Sequence, residues 1–263
     1  MRLLLLAATA SLLPSGSAHA HYHILLPDRA SVKAGDQVVV TYQFGHPFEH
    51  ELFDAEPPAE ALLLDPDGKA VDLREAVKSV EVPLGNRKIR GFQIAVRPAG
   101  RGDHTLVVTS APVWMADEKH FLRDVTKVVL HVQTQRGWDA PAAKVRFDLV
   151  PLTRPYGLRA GAAFRIQVGP GAEAGLGHLV EAERYNPVPP KVLPPEDLIT
   201  QAVKTDRGGS ATVTLHDAGW WAVTAIRRDS GQSLERDGRQ YPVVERVTLW
   251  VHVDENPALK PAK

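Results

Sequence analysis

The sequence predicts an all-β protein made of two tandem immunoglobulin-like or transthyretin-like β-sandwich domains. Apolar and polar residues alternate with a period of two in residues 38–44, 105–109, 145–149 and 164–168. Such alternation gives a strand one buried face and one solvated face. Glycine-containing turns separate these runs at residues 65–68, 99–102 and 206–209. Many short strands at even spacing are typical of a β-sandwich.

An internal repeat predicts that there are two such domains. Residues 33–40 resemble residues 159–166, and residues 99–108 are echoed loosely by residues 217–226. In each pair, a turn with glycine leads into a strand at a similar place in its half of the chain. Two copies of one sandwich explain the repeat, and chance similarity between β-strands is the alternative.

The domain boundary is predicted close to Pro151 and Pro155, because two prolines limit the conformations of a linker. The predicted units are a signal peptide at 1–20, an N-terminal metal-binding sandwich at 21–151, a C-terminal sandwich at 152–255 and a flexible tail at 256–263. Five prolines in residues 186–195 predict a long exposed connection in the second domain.

The start of the chain has the features of a cleavable signal peptide. Arg2 precedes an apolar run, residues 3–13, that is too short to span a bilayer. Ala18 and Ala20 then form the A-x-A pattern that signal peptidases cleave. We therefore expect a periplasmic or secreted protein whose mature N-terminus is His21; a retained membrane anchor is the alternative.

Composition argues against several classes of function. Lys+Arg and Asp+Glu are equal at 31 each, and scattered charges argue against nucleic-acid binding. The absence of cysteine removes disulfides, thiolate metal sites and cysteine nucleophiles. No later stretch is apolar for long enough to span a membrane. Since the sequence contains no nucleophile elbow, zinc-protease helix or phosphate-binding loop, we expect no enzymatic activity.

Cleavage after Ala20 would create a terminus with the sequence His21-Tyr22-His23. A free α-amine, two backbone amides and the imidazole of the third residue form a square-planar chelate that suits Ni²⁺ or Cu²⁺. In a rival mode, the amine and the ring of His21 hold one metal ion. The alternative is that both histidines simply begin the first strand.

A second group of metal-binding side chains follows the strand at residues 38–44. Within a few residues the chain carries His46, Glu49, His50 and Glu51. Imidazoles and carboxylates suit nickel, zinc, copper or cobalt. If strand one and this loop lie at one end of the sandwich, His21, His23, His46 and His50 come together; a solvated polar loop is the alternative.

Other candidates are weaker. His120 follows a polar segment and is a possible further ligand, whereas His104 and His131 lie in predicted strands and are interpreted as structural. Of the pair Trp220-Trp221, one ring is predicted to lie in the core and the other at the surface or an interface. A platform for sugar binding is the alternative for these rings.

Several stretches together resemble the periplasmic accessory component of bacterial nickel/cobalt uptake systems, the NikK-like nickel uptake substrate-specific family. These stretches are residues 21–27, 45–49, 126–127, 137–139, 150–158, 183–186 and 218–221. The resemblance implies a periplasmic β-sandwich protein that works beside a membrane permease for Ni²⁺ or Co²⁺. It carries over to His21, His46 and Glu49, but not to His23 and His50. Many members have a histidine at the place that Asp124 takes here.

The sequence therefore predicts a periplasmic protein that binds nickel, with cobalt second, and assists uptake by a membrane permease. The predicted ligands are His21, His23, His46, Glu49 and His50. Cu²⁺ and Zn²⁺ are alternative ions, and a periplasmic copper-binding protein is the first rival. A copper oxygenase is its enzymatic variant and needs a second histidine beside His21. The other rival is an envelope protein that binds other proteins and no metal.

Overall fold

The structure is a computed structural model and describes residues 21–142, 145–169 and 177–259. The predicted signal peptide at 1–20 and the last residues of the predicted tail, 260–263, lie outside the described residues. The strands of the first half are β1 (Tyr22–Pro27), β2 (Ser31–Val32), β3 (Val38–His46), β4 (Glu51–Phe53), β5 (Glu60–Leu64), β6 (Ala70–Asp72), β7 (Val77–Leu84), β8 (Arg87–Val96), β9 (Gly102–Thr109), β10 (Val113–Met115) and β11 (His120–Val132).

The strands of the second half are β12 (Leu149–Pro151), β13 (Leu158–Arg159), β14 (Ala162–Val168), β15 (Leu179–Arg184), β16 (Thr200–Lys204), β17 (Ser210–Leu215), β18 (Gly219–Arg227), β19 (Ser233–Arg236) and β20 (Arg239–Asp254). In the described ranges, the helical elements are single 3₁₀ turns at Arg74–Ala76, Glu196–Leu198 and Pro257–Leu259. The prediction of an all-β fold is confirmed.

The described strands form a five-stranded sheet, a three-stranded sheet and one twelve-stranded sheet that both halves share. In the first half, the five-stranded sheet β1-β3-β8-β7, with β4 beside β3, packs on the β11-β9-β5 side of the large sheet. In the second half, the sheet β12-β14-β17 packs on the β15-β18-β20 side. Each half therefore has the predicted sandwich, with its own core.

The two halves meet through strands β11 and β20, which pair in parallel from Phe121↔Val243 to Val128↔Trp250. Across this seam, the strand order of the large sheet is therefore β5-β9-β11-β20-β18-β15. The repeated segments found in the sequence lie in β3 and β14 and in β9 and β18, at matching positions of the two halves. The strand order supports two copies of one unit; the predicted domain boundaries stay a prediction.

Aromatic side chains fill both cores close to the seam. Trp250, Tyr22 and Tyr42 are 0 or 1% exposed in the first core, and Trp221 and Phe164 are fully buried in the second. Truncating a buried aromatic side chain to alanine typically costs about 3–5 kcal/mol. Trp220 is only half-buried and lies edge-on to His252, with ring centroids 5.2 Å apart. One tryptophan thus packs in the core and its neighbour lies nearer the surface, as predicted.

Candidate metal centre

The pairing of β1 with β3 places His21 beside His46. The strands are antiparallel with Tyr22 opposite Gly45, and the same register continued by one residue sets His21 opposite His46. Their ring centroids are 4.3 Å apart, with the ring planes at 75°. Cross-strand neighbours of this kind are close enough for direct side-chain interaction. The fold thus joins the predicted mature N-terminus to the strand-end motif.

Aromatic rings surround this histidine pair. The rings of Phe44 and Phe53 each lie 5.6 Å from the ring of His21. Phe53 also lies 5.6 Å from the ring of His46, edge-on. His46 is buried, and its Nδ1 lies 3.5 Å from a carboxylate oxygen of Glu51, the residue opposite it on β4. The aromatic rings therefore cover one side of the histidine pair, and the Glu51 carboxylate lies close to the ring of His46.

His23 lies in a different environment, although it belongs to the same strand. It is 3% exposed, and its Nδ1 lies 2.7 Å from Oδ2 of Asp124. Its ring stacks on that of Tyr42, with centroids 5.4 Å apart, and packs at a tilt against that of Phe44, with centroids 4.8 Å apart. The imidazole that would complete a three-residue N-terminal chelate therefore makes a buried contact with a carboxylate.

Asp124 and Arg246 hold the start of β1 in place. Burial alone would raise the pKa of Asp124, but the Arg246 guanidinium and the His23 ring outweigh burial and hold that pKa well below its usual range. The carboxylate is therefore ionised. Arg246 also donates a hydrogen bond to the backbone carbonyl of His21. The carbonyl of His23 accepts a hydrogen bond from Nε1 of Trp250. The position of His21 and of the start of β1 is thus set by side chains from β11 and β20.

Glu49 and His50 lie in the turn between β3 and β4, and this turn docks on the second half. The backbone N–H of Phe48 donates to Oε1 of Glu183 at 3.2 Å. Asn186 donates from its backbone N–H to the carbonyl of Pro47 at 3.0 Å and from its side chain to the carbonyl of Phe48 at 2.6 Å. The predicted polar loop is therefore a fixed contact between the two halves.

His50 is partly buried in this contact. Its backbone has a positive φ of 53°, and its ring lies edge-on to Tyr185, with centroids 5.8 Å apart. Burial lowers the pKa of His50, which favours the neutral ring that a metal requires. A hydrogen bond with the backbone of Asn186 opposes this shift in the pKa.

Glu183 is a buried carboxyl that sequence analysis did not single out as functional. Burial raises the pKa of Glu183 to about 8; the hydrogen bond from Thr200 opposes this shift, and the nearby charge of Glu49 adds to it. Arg246 was missed as well. For Arg246 the signal was a charged side chain inside the largely apolar run of β20, since such residues need partners when they are buried. Glu183 carried no comparable signal, because β15 also contains Glu181 and Arg184.

Taken over the described ranges, no three side chains of His, Asp, Glu or Cys stand close enough to form a ready metal site. Of the predicted ligands, the structure brings His21 and His46 together, places Glu49 and His50 in the adjoining turn, and directs His23 to Asp124. The full ligand set stays a prediction. Within the same residues, no helix has the length and apolar character needed to cross a membrane.

A family model described as Domain of unknown function (DUF4198) matches residues 18–229. No protein with a curated description matches the sequence. The chain is similar to a solved DUF4785 family protein from Legionella pneumophila, with 12% identity over 83% of this chain and 54% of that chain and a TM-score of 0.27. It thus spans about half the length of that protein.

Two further solved structures show comparable similarity. Trypsin-activated alpha-2-macroglobulin from Escherichia coli is 14% identical over 90% of this chain and 16% of that chain, with a TM-score of 0.25. A segment of two fibronectin type-III domains from chicken tenascin is 9% identical over 89% of this chain and 100% of that chain, with a TM-score of 0.23.

Proposed function

We propose a function for this chain, which belongs to the family described as Domain of unknown function (DUF4198), from the chemistry of its N-terminal histidines. The mature protein binds a late first-row transition-metal ion in the periplasm, Ni²⁺ foremost, and delivers it to a membrane permease. The observation that carries the proposal is the His21–His46 pair, whose rings are 4.3 Å apart at the predicted mature terminus.

The proposed donor set combines main chain and side chain. Cleavage after Ala20 would give His21 a free α-amine next to its own imidazole, and His46 would supply a second imidazole. Three nitrogen donors of this kind suit the tetragonal geometry that Ni²⁺ and Cu²⁺ favour. Glu49 and His50 lie in the adjoining turn and are the proposed completing or competing ligands. These residues fit the ion by the type of their donor atoms, because the imidazoles of His21 and His46 and the α-amine of His21 supply the three nitrogens.

The surroundings of the pair support reversible binding. His21 is only partly buried, whereas His46 is 6% exposed, so one ligand is fixed and the other is accessible. A carrier that hands its ion to a permease needs such an accessible ligand. The amine and both imidazoles must be deprotonated to bind, so affinity falls as the pH is lowered. Cobalt is the second proposed cargo, in line with the resemblance to nickel/cobalt uptake components.

Copper binding is the second candidate function. An N-terminal histidine that binds through its amine and ring, closed by a second histidine, suits Cu²⁺ as well as Ni²⁺, and the proposed second histidine is His46, whose ring lies 4.3 Å from that of His21. For a given nitrogen site, Cu²⁺ also binds more tightly than Ni²⁺. The supply of metal in the periplasm, rather than raw affinity, would then decide the cargo.

Isothermal titration calorimetry of the chain beginning at His21, with Ni²⁺, Co²⁺, Cu²⁺ and Zn²⁺ in turn, tests the proposal. We expect binding tighter than millimolar and a loss of at least about tenfold in affinity in His46→Gln. A chain with one extra alanine before His21 is the control for the amine and is expected to bind more weakly. No binding of any of the ions would overturn the metal function, and unchanged affinity in the extended chain would remove the amine from the ligand set.

A further inference from the structure

A small cavity lies beside His21 and is lined by a second histidine. Its volume is about 70 Å³, and its walls include His21, Met115, Glu118 and His120. β10 and β11 form the hairpin that carries Met115, Glu118 and His120, with Met115 directly opposite His120. The cavity is about the size that one ion and one or two waters require. His21 thus has a histidine on β3 on one side and a histidine on β11 on the other.

His120 has the environment of a metal-binding histidine. It is 8% exposed, and its Nδ1 lies 3.7 Å from a carboxylate oxygen of Glu118. This distance is longer than a hydrogen bond, but the Glu118 carboxylate attracts a proton on Nδ1 and so favours Nε2 as the donor to a metal ion. A small movement of the Glu118 side chain would bring it into hydrogen-bonding distance, where a carboxylate orients a metal-binding histidine.

The charges around the cavity are balanced. Glu118 and Glu181 face Arg228 and Arg246 across it, and Leu122, Ile226 and Val244 complete its walls. A divalent ion in such a site is not repelled by a net positive charge. Met115 adds a thioether, a weak ligand that soft metal ions accept.

We infer that His120 is a further ligand of the metal ion held by His21 and His46, with Glu118 as the residue that orients it. The inference rests on the proposed function and extends the same site into the cavity. In the part of the chain that the structure describes, the rings of His21, His46 and His120 do not form one group of three ligands. Cleavage would make His21 the terminal residue, and terminal residues adjust their position more easily than residues inside a strand. The ion would draw His21 and His120 together across the cavity.

The test uses the chain that begins at His21 with Ni²⁺ or Cu²⁺ alone. Calorimetry compares His120→Gln with His104→Gln, a matched control because His104 is likewise buried in a strand. We expect His120→Gln to lose about tenfold or more in affinity, Glu118→Gln to lose less, and His104→Gln to match the unmodified chain. The nitrogen hyperfine structure of bound Cu²⁺ in electron paramagnetic resonance should lose one imidazole in His120→Gln.

A measurement on the unmodified chain covers the case in which His120→Gln fails to fold. Substoichiometric Zn²⁺, which is diamagnetic, should shift the ring ¹⁵N resonance of His120 Nε2 along with ring ¹⁵N resonances of His21 and His46, because direct coordination changes the shift of the ligating nitrogen. If only the resonances of His21 and His46 shift, or if His120→Gln keeps full affinity while His46→Gln loses it, His120 is not a ligand and the proposed function stands. If neither the unmodified chain nor any of the variants binds metal, the proposed function itself fails.

Discussion

Arg246 holds the Asp124 carboxylate through two parallel hydrogen bonds, Nε to Oδ1 and Nη2 to Oδ2, each 2.7 Å long. The two residues are direct register partners in the parallel pairing of β11 with β20. Both residues are buried: Asp124 is 1% exposed and Arg246 is 6% exposed. A paired guanidinium and carboxylate in this fork geometry form a strong interaction, and His23 adds a third partner. The ion pair therefore links β11 to β20 at the seam between the two halves, and its contact with His23 also links both strands to the start of β1.

Loss of the Asp124 charge should strongly destabilise the protein. Asp124→Asn keeps the volume but leaves the buried Arg246 cation without its counter-ion, and breaking a buried pair typically costs about 3–5 kcal/mol. Urea denaturation measures the free energy of unfolding. Glu81→Gln is the control, because its ion pair with Lys88 is exposed and should contribute about 1 kcal/mol or less. Equal losses in the two variants would contradict a central role for the buried pair.

His23 should matter for stability and not for metal binding. His23→Phe keeps the packing against Tyr42 and Phe44 but removes the nitrogen that faces Asp124. Hydrogen bonds to charged groups contribute about 1.5–3 kcal/mol, and we expect a loss of that size in urea denaturation.

The same variant separates the two modes of binding at the N-terminus. In calorimetry with Ni²⁺, His23→Phe should keep its affinity within a few fold, whereas His46→Gln should lose it. The reverse result would favour the chelate formed by the amine, two amides and the His23 ring.

Glu183 should make stability fall as the pH rises. Its pKa is raised to about 8 in the folded protein, above the value of about 4.3 of an unperturbed glutamate. The folded state therefore holds a proton that the unfolded state releases, and stabilisation present below the unfolded pKa is lost as the pH rises toward 8. The unmodified protein should lose on the order of a few kcal/mol of stability between mildly acidic and mildly basic pH.

Two substitutions test the assignment of this pH dependence. Glu183→Gln removes the titrating group and should flatten the profile of unfolding free energy against pH. Glu196→Gln, at an exposed position, should leave the profile unchanged. A profile that stays as steep in Glu183→Gln as in the unmodified protein would show that another group is responsible.

Gly45 should be required for the position of His46. Its φ is 153°, and a Cβ added there would lie 2.8 Å from Cα of Leu52 and closer still to the carbonyl oxygen of Glu51. Gly45→Ala therefore forces β3 and β4 apart, so we expect both lower stability and weaker Ni²⁺ binding.

Gly35→Ala is the matched control for this substitution. Gly35 also has a positive φ, of 83°, but nothing lies within 4 Å of an added Cβ. Gly35→Ala should lower the free energy of unfolding by about 1 kcal/mol through backbone strain alone and leave the affinity for metal unchanged. A loss of metal affinity in Gly35→Ala would show that general destabilisation, and not the geometry of the β3–β4 turn, controls binding.

Much of the local structure could be predicted from the sequence, because period-two alternation depends on residues that are close in the chain. The run at residues 38–44 lies in β3, and the turn at 65–68 ends β5 as expected. The echo between β9 and β18 predicted the duplicated unit. The pairing of β11 with β20 could not be predicted, since alternation gives the faces of a strand but not its neighbours.

The proximity of His21 and His46 was predictable to the same extent. His21 and His46 end adjacent strands, and placing both strands at one end of a sandwich was sufficient to bring the two residues together. The partner of His23 was not predictable, because Asp124 lies about a hundred residues away. The contact between Asp124 and Arg246 depends on the register in which β11 pairs with β20, and no local sequence pattern encodes that register.

The hydrogen bond from Arg246 to the carbonyl of His21 has a consequence for the order of folding and metal binding under the proposed function. His21 is held by a side chain from β20, a strand far along the chain. Until β20 has folded against β11, His21 and His46 would be two loosely placed histidines. Only the folded chain would present both proposed ligands together, so metal loading would report that folding is finished.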